Sequence, residues 1–376
     1  MRIAFYAPLK PPDHPVASGD RAMARALMAA LRTAGHVVSL ASRFRSYDSG
    51  DAARQVRLRD LGELLAARLT RRIERAAAPD LWFTYHLYHK APDWLGPVVA
   101  KRLGIPYVLA EASYAPKQAG GLWDLGHRAA ADAIRLADRI FQPNPADAEC
   151  VLPLIDAPER LVLLRPFLET KPFRAPKRAE SRAAVGRLLK LDPGEPWLVT
   201  VAMMRDDQKL LSYRVLAEAL SGLTDQPWRL VIAGEGPAEP KVRASFARFG
   251  ERVSWVGVLT PDVLKQLYRA ADLYVWPAVK EAWGMAFLEA QAAGLPVVAG
   301  KSGGVPAIVA HGETGLLSAE GDAGAFAGAI GTLLAHPALR ATMGRAAAER
   351  ARRNHDIRFA ADLIDRHIRQ LTADAP

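Results

Sequence analysis

The run from Trp276 to Gly304 admits few folds. Asp272 to Trp276 reads as a strand of aromatic and β-branched residues, and Pro277 ends it by withholding a ladder N–H. Gly284 then opens a segment of good helix formers, Met285 to Ala293, with neither proline nor a β-branched residue. Gly294 suits the left-handed position past a helix end, and Pro296 cannot continue the helix. Val297 to Ala299 is the next apolar strand, with the turn Gly303-Gly304 after it. The segment is therefore strand, loop, helix, strand, the unit of a parallel sheet covered by helices.

Two carboxylates punctuate it. Glu281 lies in the loop before the helix, and Glu289 about one turn inside it. Between them are the leading N–H groups of Gly284, Met285 and Ala286, at the positive end of a helix, where an anion such as phosphate is stabilised. A phosphate site flanked by two acceptors, each able to grip a vicinal diol, fits a sugar nucleotide, with Glu281 on the sugar and Glu289 on the ribose. Taken alone, the pair also fits the exposed face of an ordinary amphipathic helix.

The wider pattern bears on that choice. The segment resembles the donor-binding motif of glycosyltransferase family 4, the glycosyl transferases group 1, with Glu281 and Glu289 in its Glu-x7-Glu. Gly303-Gly304-Val305-Pro306 and then His311-Gly312-Glu313-Thr314-Gly315-Leu316-Leu317 resemble that family's two following signatures, in order and spacing. The resemblance implies the GT-B architecture, two Rossmann-like doubly wound α/β domains facing a cleft. It also implies a retaining transfer of a sugar from a UDP- or GDP-linked donor to an acceptor hydroxyl.

Composition supports a globular chain of two domains or more. It has 376 residues, half of them apolar, with Gly and Pro scattered. One cysteine, Cys150, excludes a disulfide framework and reads as a buried thiol. Met1 to Pro8 reads as a first strand rather than a signal peptide, and no apolar run is long enough to span a bilayer, so a cytoplasmic location is expected. Net charge is +10, and residues 1–175 hold 25 Lys and Arg against 18 Asp and Glu, an excess of 7. No nucleic-acid-binding motif accompanies this charge, so an anionic substrate or an acidic lipid surface is the expected partner.

Along the first half, a strand over Ile3–Pro8, a loop ending Ser18-Gly19-Asp20, a helix to Thr33 and a strand over His36–Ala41 open a Rossmann-type unit. There is no Gly-x-Gly-x-x-Gly, which argues against a dinucleotide cofactor; Gly19 matches the family's glycine near the donor diphosphate. Residues 54–75 carry seven arginines, with Leu58, Leu61, Leu64, Leu65, Leu69 and Ile73 at helical spacing. That predicts a basic amphipathic helix, either a solvated face over a packed stripe or a surface for anionic headgroups at the inner face of a membrane. Strands ending near His86 and near Glu111 put these two residues at the carboxyl edge of the sheet, as candidates to orient an acceptor hydroxyl. Many family members carry histidine where Glu111 stands, and Arg165-Pro166-Phe167 replaces the usual Pro-Asn-Gly. A helix is predicted over Asp147–Leu154.

The domains are expected over residues 1–170 and 171–355, with a helix from 356 to 376 crossing back to the first. In the second domain, Arg205 and Lys209 follow a strand over Trp197–Ala202, ahead of a helix predicted from Ser212. The family pairs an arginine and a lysine here with the donor diphosphate, although its glycine before the arginine is missing and the gap is short. Gly257 and Val258 lie where the family sets backbone against the nucleotide base. Arg205, Lys209 and the N–H groups of Gly284 to Ala286 would offset charge on the departing diphosphate. No Asp-x-Asp sits in a suitable loop, so neither a metal nor a cofactor is expected. The acceptor is expected to be a glycan or glycolipid, in polysaccharide or glycolipid synthesis. Rival readings are a sugar-nucleotide 2-epimerase, an NAD-dependent enzyme, and a degenerate sugar-nucleotide-binding scaffold.

Overall fold

The computed structural model describes all residues except 17, 76, 144, 175–176, 282–283 and 374–376. The chain forms two compact units, one of Met1–Arg165 with the segment from Ile357 on, the other of Pro166–Asp356. Each is built on a six-stranded sheet whose pairings are all parallel.

The first sheet contains β1 (Arg2–Tyr6), β2 (Val37–Leu40), β3 (Leu81–Leu87), β4 (Tyr107–Ala112), β5 (Arg139–Gln142) and β6 (Leu161–Leu163). Its order is β2-β1-β3-β4-β5-β6. The second contains β7 (Trp197–Val201), β8 (Arg229–Ala233), β9 (Val253–Gly257), β10 (Leu273–Trp276), β11 (Val297–Gly300) and β12 (Gly315–Ser318), in the order β12-β11-β10-β7-β8-β9. Strands covered by helices on both faces read as continuous apolar runs, and β1, β3, β10 and β11 are buried almost throughout.

Strand order matters more than strand content. In the first sheet the order reverses between β1 and β3, in the second between β7 and β10. The chain leaves such neighbours toward opposite faces of the sheet. That opens a crevice beyond their carboxyl ends, where ligands of doubly wound sheets collect.

Several elements differ from expectation. The helix expected from Ser212 begins at Gln208, because the Asp207 side chain caps it by accepting from the Lys209 N–H at 2.8 Å. The helix expected over Asp147–Leu154 spans Pro145–Val151 and tightens to a 3-10 turn at Leu152–Leu154, where Pro153 removes a donor. Cys150 is half-buried rather than buried. The basic segment is a helix, Ala52–Glu74, whose leucine stripe packs only in part: Leu69 is buried, and Leu65 and Ile73 rest half-buried against the core. Gln55, Gly62, Ala66, Leu69 and Thr70 pack inward. A Cβ at position 62 would stand 2.4 Å from Trp94 Cβ, so glycine lets the helix close on that ring. Leu61 and Leu64 are left 45% and 46% exposed.

Candidate functional site

At the reversal of the second sheet, the exits of β7 and β10 bring Lys209 and Glu281 together. Lys209, in the first turn of the helix Gln208–Ser221, donates from Nζ to Glu281 Oε2. The same oxygen accepts from Trp276 Nε1 at 3.2 Å, and the ammonium lies 5.5 Å from the Trp276 ring centroid. Both charged side chains are largely withdrawn from solvent, at 20% and 14% exposure, so their attraction is weakly screened.

The loop carrying Glu281 is held residue by residue. Val279 N donates to Ser212 Oγ at 2.9 Å, Lys280 N to Glu320 Oε1 at 3.0 Å and Glu281 N to Ser302 Oγ at 3.2 Å. Ala278 and Lys280 adopt left-handed φ values of 57° and 49°, a conformation side chains resist and surrounding bonds must enforce. Such enforced backbone concentrates at functional sites.

Gly284 caps the helix Met285–Ala292 at φ 64°, where a Cβ would lie 2.3 Å from the Phe287 ring. The N–H groups of Met285 and Ala286 fall among the first four of that helix, outside its own ladder, and supply donors at its positive end. Glu289, on the next turn, accepts from Tyr268 OH at 3.0 Å. Burial raises the Glu289 carboxyl above its ordinary range, with the tyrosine bond opposing.

The other second-unit candidates stand apart from this pair. Arg205, half-exposed in the β7 exit loop, bonds Asp207 at 3.0 Å rather than Glu281. Gly257 ends β9 at φ 61° and accepts from Gly234 N at 2.8 Å, while Val258 is 67% exposed.

The first unit repeats the arrangement at its own reversal. Asp20, in the first turn of the helix Gly19–Thr33 beyond β1, accepts from His86 Nδ1 at 3.0 Å, near the end of β3. Glu111 Oε1, on β4, lies 3.9 Å from the same nitrogen. His86 and Glu111 have φ values of 61° and 60°, matched departures on adjacent strands. Burial would lower the imidazole, but Glu111 and Asp20 outweigh it and hold its pKa above the ordinary 6.5. The His86 bond holds Asp20 low, whereas burial lifts Glu111. Gly19 begins the helix, and a Cβ there would meet nothing within 4 Å.

Residues not singled out from sequence complete both clusters: Asp20 in one, Trp276, Ser302, Ser212 and Tyr268 in the other. Asp20 carried the one local signal, adjoining Gly19 at a strand-to-helix turn. The signature His311 to Gly315 has a packing role. Thr314 is buried and its Oγ1 accepts from Ala310 N at 3.0 Å and Gln291 Nε2 at 3.2 Å.

Residues 195–336 match the family described as Glycosyl transferases group 1. A D-inositol 3-phosphate glycosyltransferase of Acidothermus cellulolyticus is 34% identical over 76% of this chain and 66% of its own length. One from a Mycobacterium species is 36% identical over 57% of this chain and 48% of its own. The chain thus spans about half to two thirds of these relatives. Among solved structures, Anabaena Alr3699/HepE in complex with UDP superposes with TM-score 0.74 over 98% of this chain and 100% of that one, at 18% identity, a likeness of fold. By its matched second unit and by the GT-B fold of the chain, this protein belongs to the glycosyl transferases group 1.

Proposed function

We propose that the chain is a retaining glycosyltransferase that moves a sugar from a nucleotide-linked donor to an acceptor hydroxyl. The observation that carries this is the Lys209–Glu281 pair, set beside a helix N-terminus at the strand-order reversal of the second sheet. Such an edge offers a diphosphate the Lys209 ammonium and the N–H groups of Gly284, Met285 and Ala286, while Glu281 accepts from sugar hydroxyls and Glu289 from the ribose diol. Arg205 exchanges Asp207 for phosphate oxygen, and Gly257 and Val258 lie against the base. Cations and N–H groups aimed at the leaving diphosphate stabilise charge that develops only in the transition state. Glu281 is engaged by two donors, which suits binding better than nucleophilic attack. Departure assisted by the phosphate, with attack on the same face, preserves the anomeric configuration.

On the acceptor side, the same reading uses His86 and Glu111, with Asp20 positioning the imidazole. The relatives named for inositol 3-phosphate and the neighbour solved with UDP make a UDP-sugar and a polyol or glycan acceptor the first to test. A glycolipid acceptor is supported by the outer face of helix Ala52–Glu74. There Arg57, Leu61, Leu64, Arg68, Arg71 and Arg75 share one exposed stripe, suited to rest on anionic lipid. No helix among the described residues is long and apolar enough to cross a membrane.

Calorimetric titration with UDP, GDP and their common sugar conjugates, followed by product detection with polyol and lipid acceptors, tests the proposal. Binding with transfer supports it. Binding with epimerised donor, or with no product in any pairing, or no binding at all, overturns it.

A further inference from the structure

The opposite edge of the second sheet carries a different concentration of charge. Two adjoining hollows, of about 440 and 300 Å³, share Arg178, Gly294 and Ala348 in their walls. They lie at the amino ends of β10 and β11, so at least the length of β10, roughly 10 Å at about 3.3 Å per residue, separates them from the Lys209–Glu281 edge. Arg174 and Lys177 line one hollow, Arg340 and Arg345 the other, and Arg178 stands between.

Among the described lining residues the one carboxylate is Asp272, and it is already saturated. Arg178 approaches it at 2.7 Å, Arg182 at 2.9 Å and Arg340 at 3.7 Å, and Trp197 N donates to it at 2.8 Å. Arg269, a further lining cation, is buried and spent on Ser181 Oγ and the Pro172 carbonyl. The helices Arg178–Leu189 and Pro337–Asn354 also begin here, adding two positive ends. The helix Met285–Ala292 ends at the floor and opposes them with about half a charge. Cations therefore remain in excess in both hollows.

We propose that this groove is a second anion site, taking a small molecule with two or more phosphate groups. One phosphate sits between Arg174 and Lys177, another between Arg340 and Arg345, and the Arg178 guanidinium bridges them. Guanidinium forks match phosphate oxygens in pairs, and the hollows lie in the size range of small-ligand pockets.

The test is calorimetric titration of the full chain at low salt with tripolyphosphate and, separately, inorganic phosphate. Three proteins are compared. These are the wild type, Arg174→Gln/Lys177→Gln/Arg345→Gln, and Arg57→Gln/Arg71→Gln/Arg75→Gln on the first unit. Arg178 and Arg340 stay, because they hold Asp272; Lys177→Gln and Arg345→Gln singly serve if the triple variant melts early. One tripolyphosphate-binding event should weaken about tenfold or more in the groove triple and about threefold in each single, and not in the control. The wild type should hold tripolyphosphate at least about tenfold more tightly than phosphate. Unchanged binding in the groove variants, equal loss in the control, or equal affinity for the two anions overturns the proposal. The variants are read as differences from the wild type, and the two anions are compared on the binding event that the groove variants weaken, so the test stands whether or not the Lys209 edge also binds anions.

Discussion

Lys209 and Glu281 stand 72 residues apart in the chain and join across the β7–β10 reversal, one carboxylate oxygen taking both the ammonium and the Trp276 N–H. In the proposed function this contact presets the edge. An entering diphosphate competes for Lys209 and frees Glu281 oxygen for sugar hydroxyls, so the two charges need little rearrangement.

Glu281 and Glu289 should therefore separate by ligand. Glu281→Ala should weaken the intact sugar nucleotide and leave the free nucleotide nearly unchanged, whereas Glu289→Ala should weaken both. A hydrogen bond to a charged group contributes about 1.5–3 kcal/mol, or roughly 10- to 150-fold in affinity. Paired titrations decide it, and equal loss of free nucleotide in the two variants would reverse the assignment.

Arg205 and Lys209 should matter to turnover more than to folding. Removing one donor to developing charge costs about 10²–10³ in kcat. Arg205→Ala should melt near the wild type and Lys209→Ala somewhat lower, since it leaves the withdrawn Glu281 carboxylate without its cation, while both lose activity of that order. Near-normal turnover in both would place the diphosphate elsewhere.

Vesicle binding should follow the outer stripe of helix Ala52–Glu74. Each cation near an anionic surface contributes about 1 kcal/mol, and the attraction is screened over about 10 Å at 0.1 M salt. Sedimentation with anionic vesicles should fall steeply as salt rises and vanish in Arg68→Gln/Arg71→Gln/Arg72→Gln/Arg75→Gln, with nucleotide binding intact. Binding that survives these changes, or that is absent at low salt, would return the stripe to a solvated face.

His86 should give the first unit a pH-dependent stability. A histidine whose folded pKa is raised stabilises fully below its ordinary 6.5, and that contribution is lost as pH climbs through the raised value. The melting temperature of the wild type should decline from pH 6.5 upward more than that of His86→Asn. Asp20, held low by His86, acts at the other end, its contribution disappearing as pH falls below 3.8. Parallel melting curves for the two proteins across neutral pH would show that the imidazole is neutral when folded.

The two parallel sheets were legible because buried strands and helices alternate in ways that local chemistry dictates, down to Pro277 and Gly294 as stops. Strand order was not legible. β8 and β9 follow β7 in the chain yet lie on its far side, so nothing local announces that the loops after β7 and β10 are neighbours. His86 was legible as a strand-end residue, but its pairing with Asp20, 66 residues away, was not, for the same reason. The helix Ala52–Glu74 misled differently. Its leucines have helical spacing, but Gly62 is what fits against Trp94 while Leu61 and Leu64 face solvent, and a hydrophobicity pattern cannot rank close approach above apolar area.

The last helix, Ile357–Ala373, packs Ala360, Ala361, Ile364 and Ile368 into the first unit, and His36 Nε2 meets Asp365 Oδ1 at 2.9 Å. The second unit is thereby an insertion within the first. Along the chain, every residue of the inserted body is made before the helix that closes the earlier one. The amino-terminal half, made first, is completed last, and it must keep an apolar face unaggregated through the translation of everything between.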